Sequence, residues 1–334
     1  MSTNVTDHEP VTSIARGPKS VLRSVRLPSW RSSAIVYPFA ALFIALSVDS
    51  GPFFTRANLL NILDQQSPTL IIAAAGTLVL IGGGLDLSVG ATYALSGVVA
   101  AQVTQAHGVA LGVVVALAVG LAVGTINGII STVFHINSLI VTLAMSFIIG
   151  GLASRISSGN LIVLTGKEGF ANVAQTEWIS VRTSIWIALG VVVVLGLLLA
   201  STTNGRYIYA AGGNQEAARL AGIRIGAVRT LTFTLSGGAA ALGGIIDLSR
   251  TLSAQSSQGN TLTFTVLAGI VVGGTSILGG EGAIWRTVVG VLFIALVGNG
   301  FDLIGTDPLY QQIVLGALLL LAVGLDAWVR RVRR

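Results

Sequence analysis

A single carboxylate stands among glycines in Gly82-Gly83-Gly84-Leu85-Asp86-Leu87-Ser88-Val89-Gly90, between two apolar runs. Asp86 and Ser88 at this spacing can do two things. They can cap the helix that follows, satisfying free N–H groups of its first turn. They can equally line a helix break in an apolar bundle, touching a solute or gating its path. Asn127 and Asn299 fall deeper inside apolar runs and can bond a sugar or a neighbouring helix. Asp49, Asp247, Asp302 and Asp326 lie near the ends of such runs, and they read as solvated or capping groups.

A second polar stretch runs from Asn204 to Arg229. Asn214 is a favoured N-cap, Glu216 sits in the first turn where the helix dipole favours an anion, and Gly222 is a natural stop. The pattern predicts a short surface helix of about two turns. Such a helix suits docking into another protein; the plainer reading is an amphipathic connector lying on the membrane.

A third stretch, Gly273-Gly274-Thr275-Ser276-Ile277-Leu278-Gly279-Gly280-Glu281-Gly282, invites comparison with a phosphate-binding loop. It has no following Lys-Ser/Thr and no preceding strand, so the comparison fails. Gly166-Lys167 fails too, because Glu168 replaces the hydroxyl. The chain therefore shows no nucleotide site of its own. It has no cysteine, and His8, His107 and His135 are scattered, so no metal site is expected. No Ser-His-Asp set or carboxylate pair suggests a catalyst.

The elements that must hold these groups are helices in lipid. Of 334 residues, 53% are hydrophobic, 10% are charged and 42 are glycine. Mean hydropathy is +0.84. A soluble domain carries roughly 25% charged residues. Charge-free windows outline ten spans of about 20 residues or fewer. Their expected cores are 34–50, 66–83, 87–103, 109–131, 136–154, 183–202, 230–247, 262–279, 284–300 and 309–328. The expectation is an all-α polytopic membrane helix bundle, a transmembrane domain over 32–329 with a cytoplasmic connection over 204–229.

Charge sets the orientation. With the N-terminus in the cytoplasm, fourteen of the 19 basic residues fall inside and five outside, as positive-inside orientation requires. Residues 1–31, with Arg16, Lys19, Arg23, Arg26 and Arg31, read as a disordered cytoplasmic tail with no cleavable signal peptide. Residues 330–334 read as a second basic tail. Both ends suit an anionic cytoplasmic leaflet and membrane lipid, and the charge pattern does not suit nucleic acid. The longest outside loop, 155–182, can carry partner contacts. Two Gly-rich passages, Ala75-Gly76 leading to Gly82-Gly83-Gly84 and Ala268-Gly269 leading to Gly273-Gly274, resemble each other faintly, as internal repeats of transporters do.

Several motifs in one order resemble the ribose-type permeases of bacterial ATP-binding-cassette importers. These are Phe53-Phe54-Thr55 with Asn58-Leu59-Leu60-Asn61-Ile62-Leu63, Gly84-Leu85-Asp86-Leu87-Ser88-Val89-Gly90, Gly205-Arg206-Tyr207-Ile208-Tyr209-Ala210 with Gly213-Asn214, Ala217-Ala218-Arg219-Leu220-Ala221-Gly222-Ile223, and Gly273-Gly274-Thr275-Ser276 with Gly279-Gly280. The resemblance runs over residues 53–327. It implies an inner-membrane permease pair (homo- or heterodimeric), a cytoplasmic ATP-binding subunit that holds ATP and Mg, and an extracytoplasmic solute-binding protein. The permease itself binds no cofactor and is not an enzyme. The resemblance also implies that Gly213, Asn214, Glu216, Ala217, Ala218, Arg219, Gly222 and Ile223 form the segment pressed into the ATPase. Thr263 and Thr265 stand where many members carry acids, and Glu281 stands where a basic or neutral residue is usual. Path candidates are then Asp86, Ser88, Asn127, Thr263, Thr265 and Asn299. The rival reading is a proton-coupled carrier using Asp86 or Asp302, which needs a buried titratable acid.

Overall fold

The structure, a computed structural model, describes residues 35–332. The expected basic tail 1–31, with Arg333 and Arg334 at the other end, lies outside the described residues.

The chain folds as helices with almost no sheet. In order come α1 (Val36–Asp49), α2 (Arg56–Ile81), α3 (Val89–His107), α4 (Val109–Val133), α5 (Ser138–Ser157), α6 (Thr183–Ser201), α7 (Thr203–Gly213), α8 (Gln215–Leu220), α9 (Ile225–Thr251), α10 (Leu262–Val272), α11 (Ile284–Leu303) and α12 (Pro308–Val332). Four two-residue strands pair as β1 (Ile162–Val163) with β4 (Ser253–Ala254), and β2 (Glu177–Trp178) with β3 (Val181–Arg182), both antiparallel. Among the described residues five helices, α4, α5, α6, α9 and α11, are long and apolar enough to cross a membrane. Exposed apolar side chains such as Val114, Ile126, Phe147, Val194 and Leu197 cover α4, α5 and α6, as a lipid-facing surface requires.

α2 is the central post. It is buried continuously from Ser67 to Ile81 and packs against α6, α9, α10 and α11. Being wrapped in protein, it can carry polar residues that a lipid-facing helix could not. That explains why it begins at Arg56, capped by Thr55 Oγ1 accepting from Asn58 N at 3.3 Å, and not at 66 as expected. The window criterion excluded Asp64, but Asp64 is neutralised: it accepts from Arg182 Nη1 at 2.7 Å and Arg250 Nε at 3.2 Å, and Ser184 Oγ donates to its other oxygen. α9 likewise extends beyond the expected 230–247 at both ends. Asp247, read as a solvated end group, lies inside α9, pairs with Arg250 Nη1 at 3.4 Å and accepts from Gln258 Nε2 at 2.8 Å.

The tightest seam joins α4 to α9. Gly120 and Gly237 face each other across it, and neither position has room for a methyl group. Small residues permit this approach, and close packing takes the place of the hydrophobic effect between helices in lipid. At the hairpin end of the bundle, Ile162, Leu164 and Phe170 from the segment after α5 bury against α3, α4 and α9. The long loop expected there is thus a packed lid made of the β2–β3 hairpin, the β1 strand paired with the distant β4, and a 3₁₀ segment over Glu168–Val173.

One expected span is corrected. The core over 262–279 is helical only to Val272. Eleven residues rise about 16 Å, half of a bilayer core. Gly274 then takes φ +80°, and Thr275 N donates back to Ile270 O at 3.2 Å. The chain continues without helix to Ala283, and the approach to α10 from Ala254 is also irregular. Non-helical backbone at membrane depth is tolerated where protein covers it or a wet cavity borders it. Here Gly259 lies directly against Gly90 of α3, and Thr263 Oγ1 accepts from Gly90 N at 3.1 Å.

Candidate coupling and translocation sites

α8 is the short helix expected over Gly213–Ile223. Asn214 Oδ1 accepts from Ala217 N at 3.0 Å, and Glu216 lies in the first turn. At the other end Gly222 takes φ +80°, with Gly222 N bonded to Arg219 O and Ile223 N to Ala218 O, both at 3.0 Å. Ala218 is buried, while Leu220 is 81% exposed at the tip. The sequence reading did not anticipate α7, which precedes α8 and buries Gly205, Ile208 and Ala211. Its cap, Thr202 Oγ1 accepting from Gly205 N at 3.1 Å, is the signal that could have found it.

α7 brings the three glycine motifs together. Gly212 lies against Ile81 at the end of α2, and Gly279 lies against both Gly83 and Gly212. Gly280 N donates to Ile81 O at 2.9 Å, and Tyr209 Oη donates to Gly282 O at 2.8 Å. Burial pushes the Tyr209 phenol up, against a smaller opposing pull from Arg286, so it stays a donor near neutral pH. Backbone touches backbone here, and side chains would hold the three segments apart. Two of the segments also end in the same way. Gly83 at φ +75° with Gly84 N on Val79 O closes α2, as Gly274 with Thr275 N on Ile270 O closes α10. This is the local basis of the faint resemblance between the two Gly-rich passages.

Asp86 sits in the break between α2 and α3 and works as a tie. Its Oδ1 accepts from Ser88 N at 3.0 Å and Ser88 Oγ at 2.6 Å, and its Oδ2 accepts from Ser236 Oγ of α9 at 2.8 Å. Ser88 Oγ in turn accepts from Asn127 Nδ2 of α4 at 2.8 Å. The helix N-cap is Ser88 by position, but its side chain makes no cap bond. Instead α5 serves the break: Leu85 N donates to Ser138 Oγ and Leu87 N to Thr142 Oγ1, each at 3.0 Å. Asp86, Ser88 and Asn127 therefore form one network, in which Asn127 gives its N–H to a neighbouring segment while its Oδ1 is buried without a partner.

The other path candidates lie around α10. Thr265 and Asn299 line a cavity of about 600 Å³ between α2, α10, α11 and α12. Asn61, Gln65, Gln66 and Gln312 share its wall. Asn299 and Asn58 exchange a pair of amide bonds at 3.0 Å each, and Asp302 accepts from Gln311 Nε2 at 2.8 Å. Thr263, two residues from Thr265, faces the opposite way into a cavity of about 410 Å³ between α3, α5 and the approach to α10. Ser146, Ser154, Ser256, Ser257 and Asn260 line it with Phe147 and Phe264. The half-length helix thus separates two chambers lined mainly by neutral hydrogen-bonding groups, with the Asp302 carboxylate in the wall of the larger. Such groups can exchange bonds with a hydroxylated solute without holding a charge. The structure does not bring these candidates to the α8 surface; they are separate sites joined through the break.

Comparison with known proteins places the arrangement. Residues 58–323 match the family described as branched-chain amino acid transport system / permease component. The chain belongs to that family. Among relatives of this permease, the ribose import permease protein RbsC of Escherichia coli (strain K12) is 38% identical over 293 residues, covering 85% of this chain and 90% of the relative. The L-arabinose transport system permease protein AraH of the same strain is 35% identical over 324 residues, covering 97% and 98%. RbsC of Bacillus subtilis (strain 168) is 37% identical over 294 residues, covering 86% and 91%. No solved structure matches the chain. The permease is a multi-pass inner-membrane transport subunit of an importer and not an enzyme.

Proposed function

We propose that this permease moves a monosaccharide, or a similar small polar solute, into the cytoplasm when a separate ATP-binding subunit pulls on α8. The observation that carries the reading is the main-chain junction of Ile81–Gly84, Gly212–Gly213 and Gly279–Gly280. Through it α7, which carries α8, touches the end of α2 and the loop after α10; α2 lines the larger chamber and α10 lines both. Displacing α8 then moves the break that holds Asp86 and the loop that holds α10. The mostly uncharged, hydrogen-bonding walls of the two chambers suit an uncharged polyol, and the named solutes of the relatives, ribose and L-arabinose, are pentoses.

The assembly follows from that reading. Ten spans with both termini inside put α8 on the cytoplasmic face and residues 158–182 outside, as basic-residue asymmetry favours. A second permease copy or homologue meets the exposed side of α10, where Phe264 is 55% exposed. A solute-binding protein docks on the outer lid, and ATP with Mg is held by the ATPase and not by this chain. Asp86 and Asp302 are both hydrogen-bonded, which supports a structural use over proton carriage.

The test is Glu216→Lys in the complete transporter reconstituted in vesicles. It removes a first-turn anion and places a cation on the α8 surface. ATP-dependent uptake of labelled pentose and copurification of the ATPase should both fall about tenfold or more, with the melting temperature of the permease unchanged. Undiminished uptake and ATPase binding would refute the role of α8.

A further inference from the structure

A cavity of about 640 Å³ opens beside α8, between the α4–α5 turn and the start of α9. Arg219, Arg224 and Arg229 line it, with His135 and Gln215. Among the described residues lining it none is acidic, and none of the three guanidinium groups takes part in an ion pair within the chain. Arg229 is the inmost. Its Nη2 reaches Gly83 O at 3.5 Å and Gln215 Oε1 at 3.4 Å, while its Nε is buried without a partner. A half-buried guanidinium with a buried, unpartnered Nε and only neutral oxygens against it is a ready partner for an anion.

The rim identifies the anion. Beside the cavity mouth the α4–α5 turn holds apolar side chains in the open: Val133 is 62% exposed, Phe134 68%, Ile136 42% and Ile140 60%. A cationic pocket of this volume bordered by an apolar strip at the end of two membrane helices has the chemistry of an acylated phosphate. Basic pockets between helices on the cytoplasmic side take phosphate headgroups in this way, and Arg forks match phosphate oxygens bidentately. We propose that this cavity is a headgroup site for an anionic phospholipid. The phosphate lies between Arg224 and Arg229, and the acyl chains lie along Phe134 and Ile140. Because Arg229 also holds Gly83 O, the lipid bears directly on the glycine turn that ends α2.

The experiment uses the full permease with its ATPase in nanodiscs of equal phosphatidylglycerol and phosphatidylcholine, and reads retained lipid by native mass spectrometry. The complex should keep phosphatidylglycerol in preference. Arg224→Gln alone should reduce that preference about fivefold, and Arg224→Gln with Arg229→Gln about thirtyfold. Arg206→Gln, an exposed change outside the cavity, should leave it intact. If the double variant fails to fold, the single variant and its control still decide. Inorganic phosphate at millimolar concentration should not displace the lipid; displacement would make the cavity a free-anion site and overturn the proposal. Equal retention of the two lipids, an equal loss in Arg206→Gln, or retention only when the ATPase is absent would overturn it as well, the last by making the cavity a protein contact.

Discussion

At the scale of single residues, the carboxylate in the glycine break is worth more as an acceptor than as a charge. Asp86 receives three hydrogen bonds, from Ser88 N, Ser88 Oγ and Ser236 Oγ. An amide at this position keeps one oxygen for Ser88 and offers an N–H to Ser236 Oγ, whose hydroxyl can turn to accept it. Asp86→Asn should therefore cost about 1 kcal/mol or less, and Asp86→Leu about 3 kcal/mol or more, because two buried hydroxyls and one N–H lose their partner. Thermal unfolding of the two variants in detergent measures the gap. Equal melting temperatures would show that the network holds nothing. Sequence alone offered two uses for Asp86 and could not choose between them. The choice depends on Ser236, which is 150 positions away and carries no local mark. Asn127 is the same kind of case, since its partner Ser88 comes from the other side of the break.

At the scale of elements, caps were legible and depth was not. Asn214, Glu216 and Gly222 announce α8 because capping is local chemistry. The early start of α2 was hidden because it depends on Arg182 and Arg250 arriving from other helices to neutralise Asp64. The short length of α10 was hidden by Ile277 and Leu278, which prolong an apolar run past the point where the Gly273-Gly274 turn ends the helix. Glycine content likewise predicted close packing without saying which seam is closest. The α4–α9 seam gives a sharp test. Gly237→Val places a branched side chain against the Gly120–Gly124 backbone, whereas Gly190→Val on α6 meets nothing within 4 Å. The first should destabilise by about 3 kcal/mol or more and cut the yield of folded protein. The second should stay within about 0.5 kcal/mol of the parent. Size-exclusion profiles of the two variants, expressed side by side, would expose the seam as unimportant if they matched.

At the scale of the whole molecule, the chain is a wrapped post with a lid at one end and a hook at the other. α6 separates the two ends, since residue 182 precedes it and residue 202 follows it. The sequence contains no cysteine, so an introduced thiol reports its own side without background. Ile179→Cys, at a position 86% exposed in the lid, should react with an impermeant maleimide applied outside intact cells. Leu220→Cys, at the tip of α8, should react only after the membrane is opened. Labelling of both from one side would contradict the proposed topology. The proposed orientation rests on charge asymmetry, which is a sum over many residues and tolerates errors in any one boundary. The glycine junction has a different consequence. Main-chain atoms are the same whatever the side chains nearby, so a joint made of them does not notice changes in the chamber walls. Members of such a lineage can exchange one cargo for another by rewriting wall residues alone, and inherit the transmission unaltered.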